Sequence, residues 1–282
     1  MNLRLILLCL LLPPGISAQE TDMNFLFYLS SRAYHEEVVY LTSNAHEAGL
    51  SQATRDSLHY LRGWSLYSLK RLDESCHELL RVSPQSGFHT KSRFFAAYNQ
   101  VYLGRNDKAR LIIDSIQDPG IETLNLRSFM RAGMELLESD HSQVQVYAQE
   151  TNADYYAITR EMAHLRLYSQ ELSEHRKRSP LMAGMMSAIV PGSGKMYAGK
   201  PLQGLSALIT VAGLGLVTRE NYNKLGPKNI KTIVFGSMFT AFYIANIYGA
   251  VFAVRIAENE FQDEYRNKIL FDLHIPLRTV FN

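Results

Sequence analysis

The chain has 282 residues, enough for two modest domains or for one domain and a membrane-inserted module. Its formal charge of +2 sets 29 basic against 27 acidic residues, so composition offers no case for nucleic-acid binding. Charged side chains crowd the first two thirds and apolar ones crowd 181–257.

Met1–Ala18 opens with Arg4, continues through the apolar run Leu5–Leu12 and Pro13-Pro14-Gly15, and ends Ile16-Ser17-Ala18. This is the layout of a secretory signal peptide cleaved after Ala18. The run is too short to span a ~30 Å hydrocarbon core comfortably. Cys9 follows Leu8 rather than a small residue, which argues against lipidation. After cleavage Cys76 is the one cysteine left and has no internal disulfide partner. Its amphipathic helical setting predicts a small, buried apolar residue.

Residues 19–178 carry helical periodicity and an internal echo. Leu69-Lys70-Arg71-Leu72-Asp73-Glu74-Ser75 aligns with Leu103-Gly104-Arg105-Asn106-Asp107-Lys108-Ala109 at a shift of 34 positions. In Gly63–Pro84, Gly63 suits a close helix crossing, Leu66 and Leu69 extend the apolar face, and Lys70-Arg71 makes the turn. Small Ser75 and Cys76 stand at the crossing, and Pro84 ends a second helix about three residues shorter than the pattern. Weaker copies lie at Ala33–Val38 and Met134–Ser139, and Tyr155–Leu172 reads as a last helix. These features resemble the tetratricopeptide repeat, a helix–turn–helix unit of about 34 residues. The signature positions are Gly63, Leu69, Ser75, Leu103, Gly104 and Ala109. The resemblance implies an all-α stack of about eight helices, with a concave side that receives a protein or peptide segment. Tyr60, Tyr67, Arg93, Tyr98 and Tyr102 have chemistry suited to that groove, and suit a core as well.

Residues 179–257 read as a small helical membrane module. Leu181–Val190 is a short apolar helix stopped by Pro191. Gly192 and Gly194 then permit backbone shapes that other residues resist, and Tyr197 suits a membrane–water interface. Lys195 and Lys200 can reach toward headgroups. Leu202–Val217 would make about 24 Å of helix and Thr232–Ile256 about 37 Å. Ser237, Ala241, Ala245, Gly249 and Ala253 recur every fourth residue and form a ridge predicted to pack against the helix after the joint. Asn246 is a polar group at membrane depth. Two spans would leave Thr218–Lys231, with Arg219, Lys224, Lys228 and Lys231, as a cytoplasmic loop. Three spans would put the C-terminal residues inside, and the charged loop favours two. Residues 258–282 read as a polar tail.

The stretch Ser179–Gly204 resembles the core of an uncharacterised membrane-domain family of bacterial envelope proteins. The matching positions are Ser179, Pro180, Ala183, Ser187, Pro191, Gly192, Gly194, Tyr197 and Gly199. The resemblance covers about a quarter of the chain and implies a membrane module, in some members joined to helical repeats. It implies no activity. Pro191, Gly192, Gly194, Tyr197 and Gly199 are its structural motif. The PGSGK segment is not a phosphate loop, because Ile189 replaces the first glycine and Met196 follows Lys195.

No HExxH pair and no Gly-x-Ser-x-Gly elbow occurs, so no catalytic, metal or cofactor site is expected. His175–Arg178 is a basic cluster suited to anionic headgroups or to a linker. The expected protein is a non-enzymatic adaptor in the bacterial cytoplasmic (inner) membrane, with periplasmic repeats and contacts to membrane lipids. It would bind a protein or peptide partner, in envelope assembly or membrane-protein biogenesis. The alternative is a component of an oligomeric membrane transport complex, since small-residue helices also suit a homo-oligomer.

Overall fold

The computed structural model describes residues 22–151 and 156–281. The leader expected at Met1–Ala18 and the new N-terminus Gln19 lie outside the described residues. Thirteen helices and no strand occur among the described residues, an all-α fold. The chain divides into two compact units. A hairpin unit runs to Leu167 and includes Leu270 onward, and an apolar unit covers Tyr168–Ile269.

Helical hairpins build the first unit: α1 (Met23–Ser31) with α2 (His35–Ser43), α3 (Gln52–Ser68) with α4 (Leu72–Leu80), α5 (His89–Tyr102) with α6 (Asn106–Asp114), and α7 (Ile121–Leu137) with α8 (His141–Glu150). Helix α9 (Thr159–Glu174) follows them. The short α4 agrees with the clipped second helix expected before Pro84. All four hairpins turn in the same way. Ala33, Lys70, Gly104 and Ser139 each take a positive φ, between 62° and 74°. The residue after each donates its N–H back across the turn, as in Arg71 to Leu66 and Arg105 to Gln100. This left-handed closure satisfies the last carbonyls of the first helix.

Helix crossings explain the signature residues. A Cβ on Gly63 would lie 2.7 Å from Leu79 Cγ, so α3 and α4 meet where the side chain is missing. Ser75 donates to the Gly63 carbonyl at 2.7 Å and accepts from Asn99 of the next hairpin at 2.9 Å. Ala109 and Cys76 are buried. Leu69 and Leu103 are the residues at which α3 and α5 end.

The polar tail expected at 258–282 is helix instead. Helix α13 is continuous over Ile230–Phe281 and gives its part from Leu270 onward to the hairpin unit. Tyr265, Ile269, Leu273 and Leu277 recur every fourth residue and are buried, which is why this charged-looking stretch stays helical. Tyr98 donates to the Leu270 carbonyl at 3.1 Å, and His164 meets Asp272 at 3.1 Å. Leu273 fills the space beside Gly133, and Phe281 packs on Phe94 and Phe95. With Tyr67 of α3 beside His274, these contacts fall on α3, α5, α7 and α9, so the chain's own segment lies along the first helices of three successive hairpins and along α9.

The apolar unit holds α10 (Pro180–Ile189), α11 (Ser193–Tyr197), α12 (Pro201–Leu225) and the first part of α13. Helices α12 and α13 are long and apolar enough to cross a membrane. They carry Leu202, Ile209, Leu216, Ile233, Met238, Phe242, Ile244 and Phe252 on exposed faces. A contiguous apolar surface of this kind fits surrounding lipid better than water. The expected loop Thr218–Lys231 is mostly helix. Lys224 pairs with Glu220 one turn back, and Gly226 ends α12 with a φ of +81°.

Candidate functional sites

Each unit carries one organised site. In the apolar unit it is the joint from Val190 to Lys200. Ser179 caps α10 by accepting from Met182 N–H, and Pro180 occupies the first helical turn, where its missing N–H costs nothing. The helix stops at Val190, before Pro191. Gly192 turns with φ +87°, and Gly199 with φ +82°.

A broken helix leaves backbone groups without partners, which is costly where water is excluded. Side chains supply them here. Asn246 of α13 accepts from Gly192 N–H at 3.0 Å and donates to the Ser187 carbonyl at 3.2 Å. Ser187 Oγ accepts from Gly194 N–H at 3.0 Å, and the Tyr243 hydroxyl donates to the Ala188 carbonyl. The Tyr197 hydroxyl accepts from Ser179 N–H at 3.2 Å, tying the end of the joint to the start of α10. Backbones touch at the glycines. A Cβ on Gly192 would overlap the Gly204 carbonyl, and one on Gly194 would overlap the Ala183 carbonyl.

The predicted ridge needs correction. Ser237, Ala241 and Ala245 are exposed, Gly249 is half-buried, and only Ala253 is buried. The packed face is instead Asn246, Ala250, Ala253 and Val254, which meets Ala183, Ala198 and Tyr197. Polar satisfaction of the joint through Asn246 sets the rotation of α13, and a strict four-residue ridge drifts off that face. Lys195 lies against Gly249 and lines a cavity of about 510 Å³ with Gln203, Thr210 and Asn246. Of the basic cluster, His175 pairs with Glu258 at 2.9 Å and stacks on Phe261.

In the hairpin unit the site is a cavity of about 670 Å³ between α1, α3, α5 and the last turns of α13. Phe27, Tyr60, Trp64, Tyr67 and Phe88 line it, with Lys70, Lys91, Arg278, His35 and His274. Tyr60 stacks on Phe88 at 4.3 Å, and Trp64 meets Phe95 edge-on at 5.0 Å. Lys91 Nζ sits 5.1 Å from the Tyr60 ring centre and 5.5 Å from that of Trp64. Burial pushes the Lys91 ammonium below its usual range and the Tyr60 and Tyr67 hydroxyls above theirs. Burial, with the nearby Arg278 and Lys70 charges, lowers His274 to about 4, so its ring is neutral at pH 7.

Of the groove residues named from sequence, Tyr60 and Tyr67 line this cavity. Tyr98 is held by the α13 segment, Arg93 donates to the Leu80 carbonyl, and Tyr102 is largely exposed. Trp64, Lys91, His274 and Arg278 were not foreseen. They come from helices far apart in sequence, and no local spacing marks them.

A second polar cluster is structural in character. Glu78 accepts from His59 at 2.9 Å and from Arg62 at 3.3 Å. Burial would raise its pKa, but His59, Arg62 and Arg81 together hold it down at about 2. No group of three or more metal-ligating side chains occurs among the described residues. No family model, curated protein or solved structure matches the chain.

Proposed function

We propose that the protein is a non-enzymatic, membrane-anchored adaptor whose helical hairpins receive a protein or peptide partner outside the cytoplasm. The observation that carries this reading is the aromatic and basic cavity left open beside the chain's own segment Leu270–Phe281. That segment already lies along the first helices of successive hairpins, so the fold accepts a helix or extended stretch there. The identical left-handed turns support the tetratricopeptide-like reading of these hairpins. The glycine joint and its side-chain partners support the envelope membrane-domain reading of the apolar unit.

The reading takes two spans as the anchoring topology. Residues through Leu167 and from Leu270 onward share one unit, which supports an even number of crossings between them. With the expected export signal Met1–Ala18, this supports a hairpin unit on the outer face of the bacterial cytoplasmic membrane.

Purification from membranes in mild detergent tests the partner. The expected result is an envelope protein retained by the wild-type chain and lost from Tyr60→Ala and Lys91→Gln. Retention that ignores both substitutions would overturn the cavity as the receiving site. The transport-complex reading comes second and draws on exposed Ser237, Ala241 and Ala245, a surface on which a second copy could pack. A homo-oligomer without any partner, dispersed by Ala241→Leu, would favour it.

A further inference from the structure

The hairpin-unit cavity combines features that helix packing alone does not require. Among the described residues three cations, Lys70, Lys91 and Arg278, line it, and no carboxylate does. None of the three makes an ion pair among the described residues. Lys91 and Lys70 lean over the faces of Tyr60, Trp64 and Tyr67 instead. Two more lining residues hold buried polar atoms without a hydrogen-bond partner, Tyr67 Oη and His274 Nε2. Lys91 is half-buried and Lys70 and Arg278 are exposed at the mouth, so the cost falls on Lys91 and the two unpaired polar atoms, and an incoming group that meets them recovers it on binding.

The chemistry of that group follows by elimination. A neutral apolar molecule would leave the cations unpaired. An ammonium ligand would suit the aromatic faces but meet three like charges. A bare inorganic anion would make no use of the ring-lined walls. We propose that the cavity binds an aryl carboxylate, its acid group held by Lys91 and Arg278 and its ring seated against Trp64, Tyr60 and Phe88. The volume of about 670 Å³ falls within the ~300–1,000 Å³ usual for organic ligands. The same chemistry arrives either as a free organic acid or as adjacent aromatic and acidic side chains of a partner.

Trp64 is the chain's single tryptophan and lines the cavity, so its fluorescence reads the site directly. The full chain in nanodiscs is titrated with 3-phenylpropionate, with the neutral 3-phenylpropanamide and with 2-phenylethylamine. A saturable change with the acid alone is expected, about tenfold weaker in Lys91→Gln and in Arg278→Gln. Equal responses to acid and amide would overturn the proposal, as would wild-type affinity in both variants. If Lys91→Gln fails to fold by circular dichroism, the exposed Arg278→Gln decides alone. The blocked peptide acetyl-Gly-Phe-Glu-Gly-amide separates the sources: binding tighter than the acid assigns a partner segment, and weaker binding assigns a free acid. The inference rests on the adaptor reading, and the two fail separately. Partner retention by Lys91→Gln, with no response to the acid, removes the anion chemistry and leaves the adaptor.

Discussion

At Gly192 a single added carbon collides with backbone rather than with a movable side chain. Gly192→Val and Gly194→Val are therefore expected to abolish accumulation in membranes, whereas Lys195→Gln accumulates normally; quantitative immunoblotting of membrane fractions checks both. Normal levels of the two valine variants would reject the joint. Asn246→Leu keeps the volume but orphans the Gly192 N–H and the Ser187 carbonyl. A loss of roughly 1–3 kcal/mol for each unsatisfied group is expected, read as a lower midpoint of thermal unfolding in detergent. Glu78 sets an acid limit. Its folded pKa of about 2 lies below the ordinary 4.5, so its contribution is full above 4.5 and is lost as pH falls from there through about 2. His274, lowered from 6.5 to about 4, destabilises over the window from 6.5 down to 4. Chemical denaturation against pH should show both windows in the wild type. Glu78→Gln should erase the lower one and cost roughly 3 kcal/mol at neutral pH, because it leaves Arg62 without a full partner.

At the scale of elements, the repeated turn is the most readable feature. The echo of Lys70 and Gly104 at 34 positions, read as a repeated helix–turn–helix, falls on two of the four left-handed residues. Ser139 takes the same conformation with a side chain that disfavours it, at φ +66°. Ser139→Gly should therefore stabilise the protein by up to about 1 kcal/mol, and an unchanged or lower unfolding midpoint would contradict the account. The helical class and the two apolar helices were legible because each rests on local periodicity. The role of Leu270–Phe281 was not, although Tyr265, Ile269, Leu273 and Leu277 carry a four-residue apolar spacing. Lys268, Asp272 and Arg278 mask it in composition, and its partners Tyr98 and Gly133 lie far away in the chain. The cavity was half legible for the same reason: Tyr60 and Tyr67 sit on a recognisable repeat helix, while Lys91 and Arg278 join them only through tertiary packing. The ridge Ser237–Ala253 misled because small-residue spacing describes what a helix can pack, while Asn246 fixes which face it presents.

For the whole molecule, the proposed two spans predict a simple accessibility pattern. Leu111 and Thr279 belong to the hairpin unit and are exposed, and Asn229 lies in the turn between α12 and α13. In a Cys76→Ser background, Leu111→Cys and Thr279→Cys should react with a membrane-impermeant maleimide from the same side, and Asn229→Cys only after permeabilisation. Labelling of all three from one side would reject the topology.

The contact between Tyr98 and Leu270 joins residues 172 positions apart, and everything in between includes both apolar helices. The hairpins are therefore translated early and completed late. Until Leu270–Phe281 has been made, Gly133, Phe94 and Phe95 lack the neighbours that cover them. Closing so distant a contact is slow compared with forming local hairpins. The nascent domain thus has an interval of vulnerability to proteases and aggregation, and that interval lasts as long as synthesis of the apolar unit takes. Translation timing becomes a determinant of yield: codons that slow the ribosome between 168 and 269 lengthen the exposed interval, whereas the same change before Met23 leaves it untouched.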